Sequence, residues 1–171
     1  MILSGLEIAR KVAEGQEIII RPFDAAMVGP NSYDLRLADK LLVYEDEVLD
    51  MRSPAATREI LIPAEGVVLL PGKLYLGATV EFTETHGYVP MLEGRSSLGR
   101  LGISIHVTAG FGDVGFKGNW TLEIHALSPV RIYAGERICQ IYYHKIEGEY
   151  IPYQGKYQGS TEALASRKYR D

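Results

Sequence analysis

Short apolar segments, separated at close intervals by proline, glycine and aspartate, run through most of this sequence and restrict the folds it can adopt. Each is short enough to be a single strand, and the residues between them are typical of turns. They are Glu17–Ile20, Lys40–Tyr44, Glu59–Ile62, Val67–Leu70 and Leu74–Phe82. Because no helical pattern is interleaved with them, the sequence predicts a mainly all-β fold of the jelly-roll or β-barrel kind.

Two further segments alternate between apolar and polar residues, which is the pattern of a half-buried strand. Within 102–108 the apolar face is formed by Ile103, Ile105 and Val107. Within 120–126 it is formed by Trp120, Leu122, Ile124 and Ala126. The polar face of the second segment carries Thr121, Glu123 and His125. That face allows a site but does not require one.

One helix is predicted, at the start of the chain. Ser4 and Glu7 have the spacing of a capping box, apolar Ile8 and Val12 follow, and Gly15 ends the pattern. At the other end, residues 155–171 are polar and show no strand pattern, which predicts a flexible C-terminal lid or tail. The length of 171 residues fits one domain over the whole chain, 1–171.

Charge and cysteine content exclude several classes of function. The net charge is −4 at pH 7, so no basic surplus is present to bind a nucleic-acid backbone. The single cysteine, Cys139, excludes a disulfide framework and a zinc site with several thiolates. No apolar run approaches the ~20 residues that span a bilayer, and the first residues lack an apolar signal core. We therefore expect a cytoplasmic protein without membrane or nucleic-acid partners.

The densest polar cluster is Glu93–Arg100, which holds two arginines, two serines and two glycines. Guanidinium groups bind phosphate bidentately, and glycine lets backbone N–H groups approach a phosphate. The segment is not a Walker loop, because it lacks the Gly-Lys-Ser/Thr ending. On the residues alone, a phosphate site and a charged surface turn are both open.

Two acidic residues are candidates for chemistry. Asp113 lies in a loop with four glycines, 108–118, which could fold against a sugar or a water, although a simple glycine-rich hairpin has the same composition. Glu123 lies on a strand that is otherwise apolar or weakly polar. Its carboxylate therefore either faces solvent or lines a polar pocket.

Metal and nucleophile chemistry receive little support. The four histidines have no metal-ligand spacing, and His106 and His125 are interpreted as hydrogen-bonding residues of a strand face. The zinc nucleobase-deaminase signature is absent. Ser96 and Ser97 are not set in a G-x-S-x-G elbow.

Five segments, in order along the chain, resemble the motifs of the dCTP deaminase branch of the trimeric dUTPase superfamily. They are Asn31–Leu35, Gly94–Arg100, Asp113–Gly118, Gly135–Gln140 and Lys156–Ser160. The resemblance runs over almost the whole chain. It implies a distorted jelly-roll subunit of the dUTPase-like type, assembled as a homotrimer with active sites shared between neighbouring subunits.

Glu123 decides the branch, because Thr121-Leu122-Glu123 is similar to the deaminase element after the third motif, where plain dUTPases carry an apolar residue. The resemblance implies that Glu123 takes a proton from the water that attacks C4 of cytosine. It would then deliver protons to N3 and to the departing ammonia. Ser96 and Arg100 match the residues that hold this water and anchor the site.

The resemblance also implies a substrate-binding set around this centre. Arg95 and Ser97 would face the phosphates, Asp113 would receive the deoxyribose 3′-hydroxyl, and the tail would close over base and triphosphate. The full set is Arg95, Ser97, Leu98, Gly99, Ala109, Asp113, Thr121, Leu122, Gln140, Tyr153, Lys156 and Gln158. Mg²⁺ would be carried by the triphosphate, without zinc. The implied ligands are dCTP and dUTP, with dTTP as a candidate feedback inhibitor.

Two departures from the family pattern bear on the product. Ser160 stands where many deaminases have glutamine. Gly110-Phe111, together with Gln140, is similar to bifunctional enzymes that form dUMP, whereas Val107 is similar to monofunctional deaminases and Gly112 replaces the usual isoleucine. The interpretation placed first is a dCTP deaminase that releases dUTP and ammonia for thymidylate synthesis. The alternatives are a bifunctional dUMP-forming deaminase, a plain dUTPase and a non-catalytic nucleotide-binding regulator.

Overall fold

Ten β-strands and two α-helices form the regular structure of the computed structural model, which describes all 171 residues. The strands are β1 (Ile18–Arg21), β2 (Tyr33–Tyr44), β3 (Thr57–Leu61), β4 (Val67–Leu69), β5 (Tyr75–Thr85), β6 (Tyr88–Gly94), β7 (Ile103–Ile105), β8 (Lys117–Ala126), β9 (Val130–Ile132) and β10 (Arg137–Lys145). The helices are α1 (Gly5–Glu14) and α2 (Ser96–Gly99). Short 3₁₀ turns occupy Ala25–Met27 and Lys168–Arg170. The all-β prediction is confirmed.

The N-terminal helix α1 begins and ends as the sequence predicts. The Ser4 hydroxyl accepts a hydrogen bond from the Glu7 amide at 3.2 Å. Gly15 adopts the left-handed conformation at φ 67°, and its N–H reaches the carbonyls of Lys11 and Val12. Glycine occupies such a position at little cost, which is why the helix stops there. Neither α1 nor α2 is long and apolar enough to cross a membrane.

Eight strands form one sheet that curls into a nearly closed barrel. Its main path runs β6-β10-β2-β5-β8-β7, with β1 added to β5 and β3 added to β2, and β4 and β9 form a separate pair. All of these pairings are antiparallel. The two ends of the path meet, since a Cβ added to Gly94 of β6 would lie 3.6 Å from Ile105 of β7.

Alternation in β8 positions the barrel core as predicted. Its core-facing residues are buried, and they are Trp120, Leu122, Ile124 and Ala126. Thr121, Glu123 and His125 are half-buried on the opposite face. Because β8 pairs with β5 along one edge, these polar side chains are held at fixed intervals.

The prediction for Val107 was wrong. Strand β7 ends at Ile105, and His106 has a positive φ of 51°, which turns the chain out of the strand. Val107 is consequently 70% exposed and does not join Ile103 on the core face. A left-handed residue that is not glycine is uncommon, and alternation of residue types carries no sign of it.

Strands β6, β9 and β10 were not among the predicted segments. Pro90 lies within β6, and a proline ordinarily argues against a central strand. Here β10 pairs with β6 from Gly94 to Tyr88, and on its other edge β10 pairs with β2. Cys139 of β10 is fully buried, and burial raises the pKa of its thiol.

Candidate active site

A cavity of about 470 Å³ lies beside the polar face of β8. Five of the predicted site residues line it: Ala109, Asp113, Thr121, Glu123 and Tyr153. They come from three places in the sequence, namely the loop after β7, strand β8 and the segment after β10. A cavity of this size and mixed lining is typical of sites for small molecules.

Glu123 is held at the cavity by main-chain contacts on both sides. It faces Leu76 in the antiparallel pairing of β8 with β5, and its carbonyl oxygen accepts a hydrogen bond from the His106 amide at 3.1 Å. Its half-buried carboxylate forms no ion pair within the chain. The carboxylate is therefore available to a ligand, which favours the pocket interpretation of Glu123.

The loop between β7 and β8 is pinned against β6 by two glycines. The Leu92 amide donates to the Gly110 carbonyl at 2.8 Å, and the Gly112 amide donates to the Pro90 carbonyl at 2.9 Å. A Cβ at Gly110 would lie 2.4 Å from the Leu92 carbonyl oxygen, and a Cβ at Gly112 would lie 2.7 Å from that of Pro90. In this chain, a side chain at either position would push the loop away from β6. The close approach fixes the position of Asp113, the residue after Gly112.

His106 is a cavity residue that the sequence did not identify as part of a site. Both ring nitrogens are buried without a hydrogen-bond partner, although hydrogen bonding was its expected role. Burial lowers the pKa of His106 to about 4, so the ring is neutral near pH 7. A buried nitrogen without a partner is uncommon in folded proteins, and His106 lines the same cavity as Glu123.

An aromatic wall encloses the cavity. The rings of Phe116 and Trp120 lie 4.4 Å apart, and those of Phe116 and Tyr153 lie 5.9 Å apart. Trp120 is fixed by a hydrogen bond from its indole N–H to the Thr83 hydroxyl at 2.8 Å. Phe111, 70% exposed, stands at the rim. Sequence alternation placed Trp120 on the core face, so its contribution to the cavity required the folded structure.

A second cluster gathers most of the other predicted residues outside the cavity. Arg95 and Arg137 both contact one carboxylate oxygen of Asp34, at 3.2 and 3.3 Å. Gln140 accepts a hydrogen bond from the Ser32 hydroxyl at 3.0 Å and donates to the Gly94 carbonyl at 3.3 Å. The remaining members lie on or beside α2, and they are Ser96, Ser97, Leu98, Gly99 and Arg100. Of these, only Leu98 is not exposed.

Asp34 and Arg137 were not among the predicted site residues. The sequence signal that could have found them is their place in the first and fourth motif segments, Asn31–Leu35 and Gly135–Gln140. The pairing of β2 with β10 brings these segments together and places Asp34 opposite Gln140. Two guanidinium groups around a single carboxylate leave an excess of positive charge, as an anion site requires.

Three predicted residues lie elsewhere. Leu122 is fully buried in the core. Lys156 forms an ion pair with Asp171. The Gln158 amide is hydrogen-bonded to the main chain at Lys117 and Gly115. The structure contains no group of three or more His, Cys, Asp or Glu side chains placed to hold a metal ion.

The known proteins that are similar to this chain agree with one another in the family they name. A family model described as dCTP deaminase-like matches residues 2–146. A relative from Clostridium acetobutylicum named dCTP deaminase, dUMP-forming, is 59% identical over 172 residues, with 100% of this chain and 98% of the relative covered. Relatives with the same name from Cytophaga hutchinsonii and Leptospira biflexa are 57% and 56% identical over the same shares.

Among solved structures, a 2′-deoxycytidine 5′-triphosphate deaminase from Agrobacterium tumefaciens is similar, with a TM-score of 0.66 and 23% identity. The match covers 83% of this chain and 47% of that chain, so this chain spans about half the length of that protein. At this identity the likeness supports the fold alone. Because the family model spans most of the sequence and the relatives match it from end to end, the chain belongs to the dCTP deaminase-like family.

Proposed function

We propose that this protein is a dUMP-forming dCTP deaminase, which converts dCTP and two waters into dUMP, pyrophosphate and ammonia. The observation that carries the proposal is the unpaired carboxylate of Glu123, which lies with Asp113 in one cavity. The sequence interpretation placed dUTP first as the product. The dUMP-forming alternative now takes precedence, because relatives at 56–59% identity carry that name and this chain has the Gly110-Phe111 pair.

The first step is hydrolytic removal of the cytosine amino group. Glu123 takes a proton from water, and the water oxygen forms a bond to C4 of cytosine. Glu123 gives this proton to N3. It then takes the remaining proton from the new C4 hydroxyl and delivers it to the amino nitrogen, so that the C4 carbonyl forms, the C4–N bond breaks and ammonia leaves. Positioned proton transfer of this kind contributes ~10²–10⁴-fold to a rate. The neutral ring of His106, next to Glu123 along the cavity wall, adds no competing positive charge near pH 7.

The cavity accommodates the base and the sugar. Ala109 and Thr121 lie beside Glu123 on its lining, where the main chain can contact the base edge. Asp113 receives the deoxyribose 3′-hydroxyl, and the Phe116 and Trp120 rings provide the apolar wall. The triphosphate extends beyond the cavity, and its oxygens carry Mg²⁺ as part of the substrate.

The proposed active form is a homotrimer with shared sites. Ser96 and Arg100 are exposed and do not line the cavity of their own chain. In the proposal, a neighbouring subunit brings these two residues and Arg95 to the cavity mouth, where they hold the attacking water and the phosphates. Such a trimer would work in the cytoplasm, and dTTP, which shares the sugar and triphosphate of the substrate, would compete for the same site.

The second step cleaves the bond between the α- and β-phosphates. Water attacks the α-phosphorus, the bond to the bridging oxygen breaks, and pyrophosphate leaves dUMP behind. Asp113, held by the pinned loop, orients this water. Phe111 at the rim is uncharged, so it does not draw the triphosphate away from this water.

Replacement of one oxygen of Glu123 tests the proposal. Glu123→Gln keeps the size of the side chain and removes its basicity, so ammonia release should fall by ~10⁴-fold, the upper end for proton transfer. The dissociation constant for dCTP should change by less than about threefold. Glu149→Gln, on the exposed segment after β10, is the matched control and should keep full activity. Substantial deamination by Glu123→Gln would remove this residue from the mechanism.

A further inference from the structure

Residues 152–164 run along the part of one β8 edge that no strand covers. One edge of β8 pairs with β5, and β7 covers the other edge only from Ile124 to Ala126. On the remaining part, Gly118 and Ser160 form a parallel bridge. The Asn119 amide donates to the Ser160 carbonyl at 2.7 Å, and the Gly159 amide donates to the Lys117 carbonyl at 2.8 Å. Residues 152–164 thus pair with backbone groups of a sheet edge that would otherwise be open.

The side chain of Gln158 adds further hydrogen bonds to this stretch of main chain, at groups that the backbone of residues 152–164 does not reach. Its Oε1 accepts a hydrogen bond from the Lys117 amide at 2.9 Å. Its Nε2 donates to the carbonyls of Gly115 at 2.8 Å and Tyr153 at 3.0 Å. Both N–H groups of the amide are therefore engaged with main-chain carbonyls. In this arrangement Gln158 has no donor left for a nucleotide.

Ser160 is engaged in the same way. Its hydroxyl donates to the Asn119 carbonyl at 2.8 Å, and the residue is only 9% exposed. A Cβ at Gly118 would lie 2.8 Å from the Ser160 carbonyl oxygen, and a Cβ at Gly115 would lie 2.7 Å from Pro152. Glycine at these two positions lets the tail lie directly against the loop that follows Asp113.

We infer that Gln158 is a positioning residue that seats residues 152–164 on β8 and thereby fixes the main chain between Asp113 and Glu123. The seated segment brings Tyr153 and Leu164 to the cavity wall, and the Leu164 amide donates to the Thr121 hydroxyl at 3.0 Å. Gln158 thus acts through the main chain of Gly115–Lys117 and does not contact the substrate. The inference rests on the proposed function, because it takes Asp113 and Glu123 as the reacting centre.

Two substitutions separate this role from a direct contact with the nucleotide. Gln158→Met keeps the length of the side chain and removes every hydrogen bond. Gln158→Glu can still accept from the Lys117 amide, but it sets a carboxylate oxygen against the carbonyls of Gly115 and Tyr153. Gln154→Met is the matched control, since Gln154 is an exposed glutamine of the same segment.

The first readout is hydrogen exchange at the Lys117 amide in the enzyme without nucleotide. Gln158→Met should exchange about five- to tenfold faster than wild type, the factor expected for one net hydrogen bond. Gln158→Glu keeps the acceptor but loses both donors that seat the segment, so it should also exchange faster, and Gln154→Met should not. This measurement does not depend on activity, so it tests the seating of the tail even if the proposed reaction is wrong. An unchanged exchange rate in both variants would overturn the inference.

The second readout compares dCTP with dUTP. A displaced loop misplaces Asp113 for both nucleotides, so both Gln158 variants should lower kcat for dCTP by ~10–10²-fold. They should also weaken the binding of dCTP and the binding of dUTP to the same extent as each other. A direct contact with the base predicts a different result. The carboxylate of Gln158→Glu would then accept from the amino group of cytosine and repel O4 of uracil, and a selective loss of dUTP binding would refute the positioning role.

Discussion

Gly112 offers the most quantitative test of how the fold positions the reacting groups. Its amide is bonded to the Pro90 carbonyl at 2.9 Å, and Asp113 is the next residue. A methyl group at this position would lie 2.5 Å from Cη2 of Trp120 and 2.7 Å from the Pro90 carbonyl oxygen. Gly112→Ala therefore forces a shift on one side or the other.

The size of the shift follows from these contacts. Carbon atoms pack at about 3.5 Å or more, so the methyl group and Trp120 must separate by roughly 1 Å. Trp120 is held by its hydrogen bond to Thr83 and packs against Phe116, and Pro90 lies in a paired strand. The loop is the part that can move, and it carries Asp113 with it. A misplacement of about 1 Å can cost ~10²-fold in rate, and overpacking costs about 1–3 kcal/mol of stability.

The expected result for Gly112→Ala is a loss of kcat/KM of ~10²-fold for dCTP in a protein that remains folded. Ammonia release measures the first step, and thermal unfolding shows whether the variant is still native at the assay temperature. Gly110→Ala should behave alike, because its methyl group would lie 2.4 Å from the Leu92 carbonyl oxygen. Activity of a folded Gly112→Ala within threefold of wild type would refute the positional argument.

Two further predictions concern acid stability and assembly. Because burial lowers the pKa of His106 to about 4 from 6.5, the unfolded chain binds this proton more readily, and stability is lost as pH falls from 6.5 towards 4, by about 2 kcal/mol at pH 5. His106→Asn, in which asparagine tolerates the positive φ, should lose less stability than wild type between about pH 7.5 and pH 5, as followed by thermal unfolding. His86→Asn, at an exposed site, should behave as wild type. Equal losses for His106→Asn and wild type would contradict the lowered pKa of His106. For assembly, light scattering should give about three times the chain mass of 19.0 kDa, and a fully active monomer would exclude shared sites.

The β-fold and the polar face of β8 could be predicted because both depend on local residue order. Alternation placed Leu122 and Ile124 in the core and Glu123 on the other face, and capping chemistry placed α1 between Ser4 and Gly15. Of the cavity residues that the sequence identified, Asp113 lies in the third motif segment, and Thr121 and Glu123 lie on that face. Each of these features is visible in a short stretch of chain.

What could not be predicted depends on contacts between distant segments. The left-handed turn at His106 has no local sequence signal, and it removed Val107 from the core face. Asp34 meets Arg95 only through the pairing of β2, β10 and β6. Gln158 was expected at the substrate, whereas its amide is bonded to the main chain at Lys117, a partner that the sequence does not indicate.

The most direct test of the proposed function is phosphorus NMR of the enzyme with dCTP and Mg²⁺. The signals of dCTP should be replaced by those of dUMP and pyrophosphate, with ammonia released in equal amount and no dUTP accumulating. Appearance of dUTP as the sole nucleotide product would contradict the second step and restore the simple deaminase. An unchanged dCTP spectrum in the presence of folded enzyme would contradict the proposed reaction altogether.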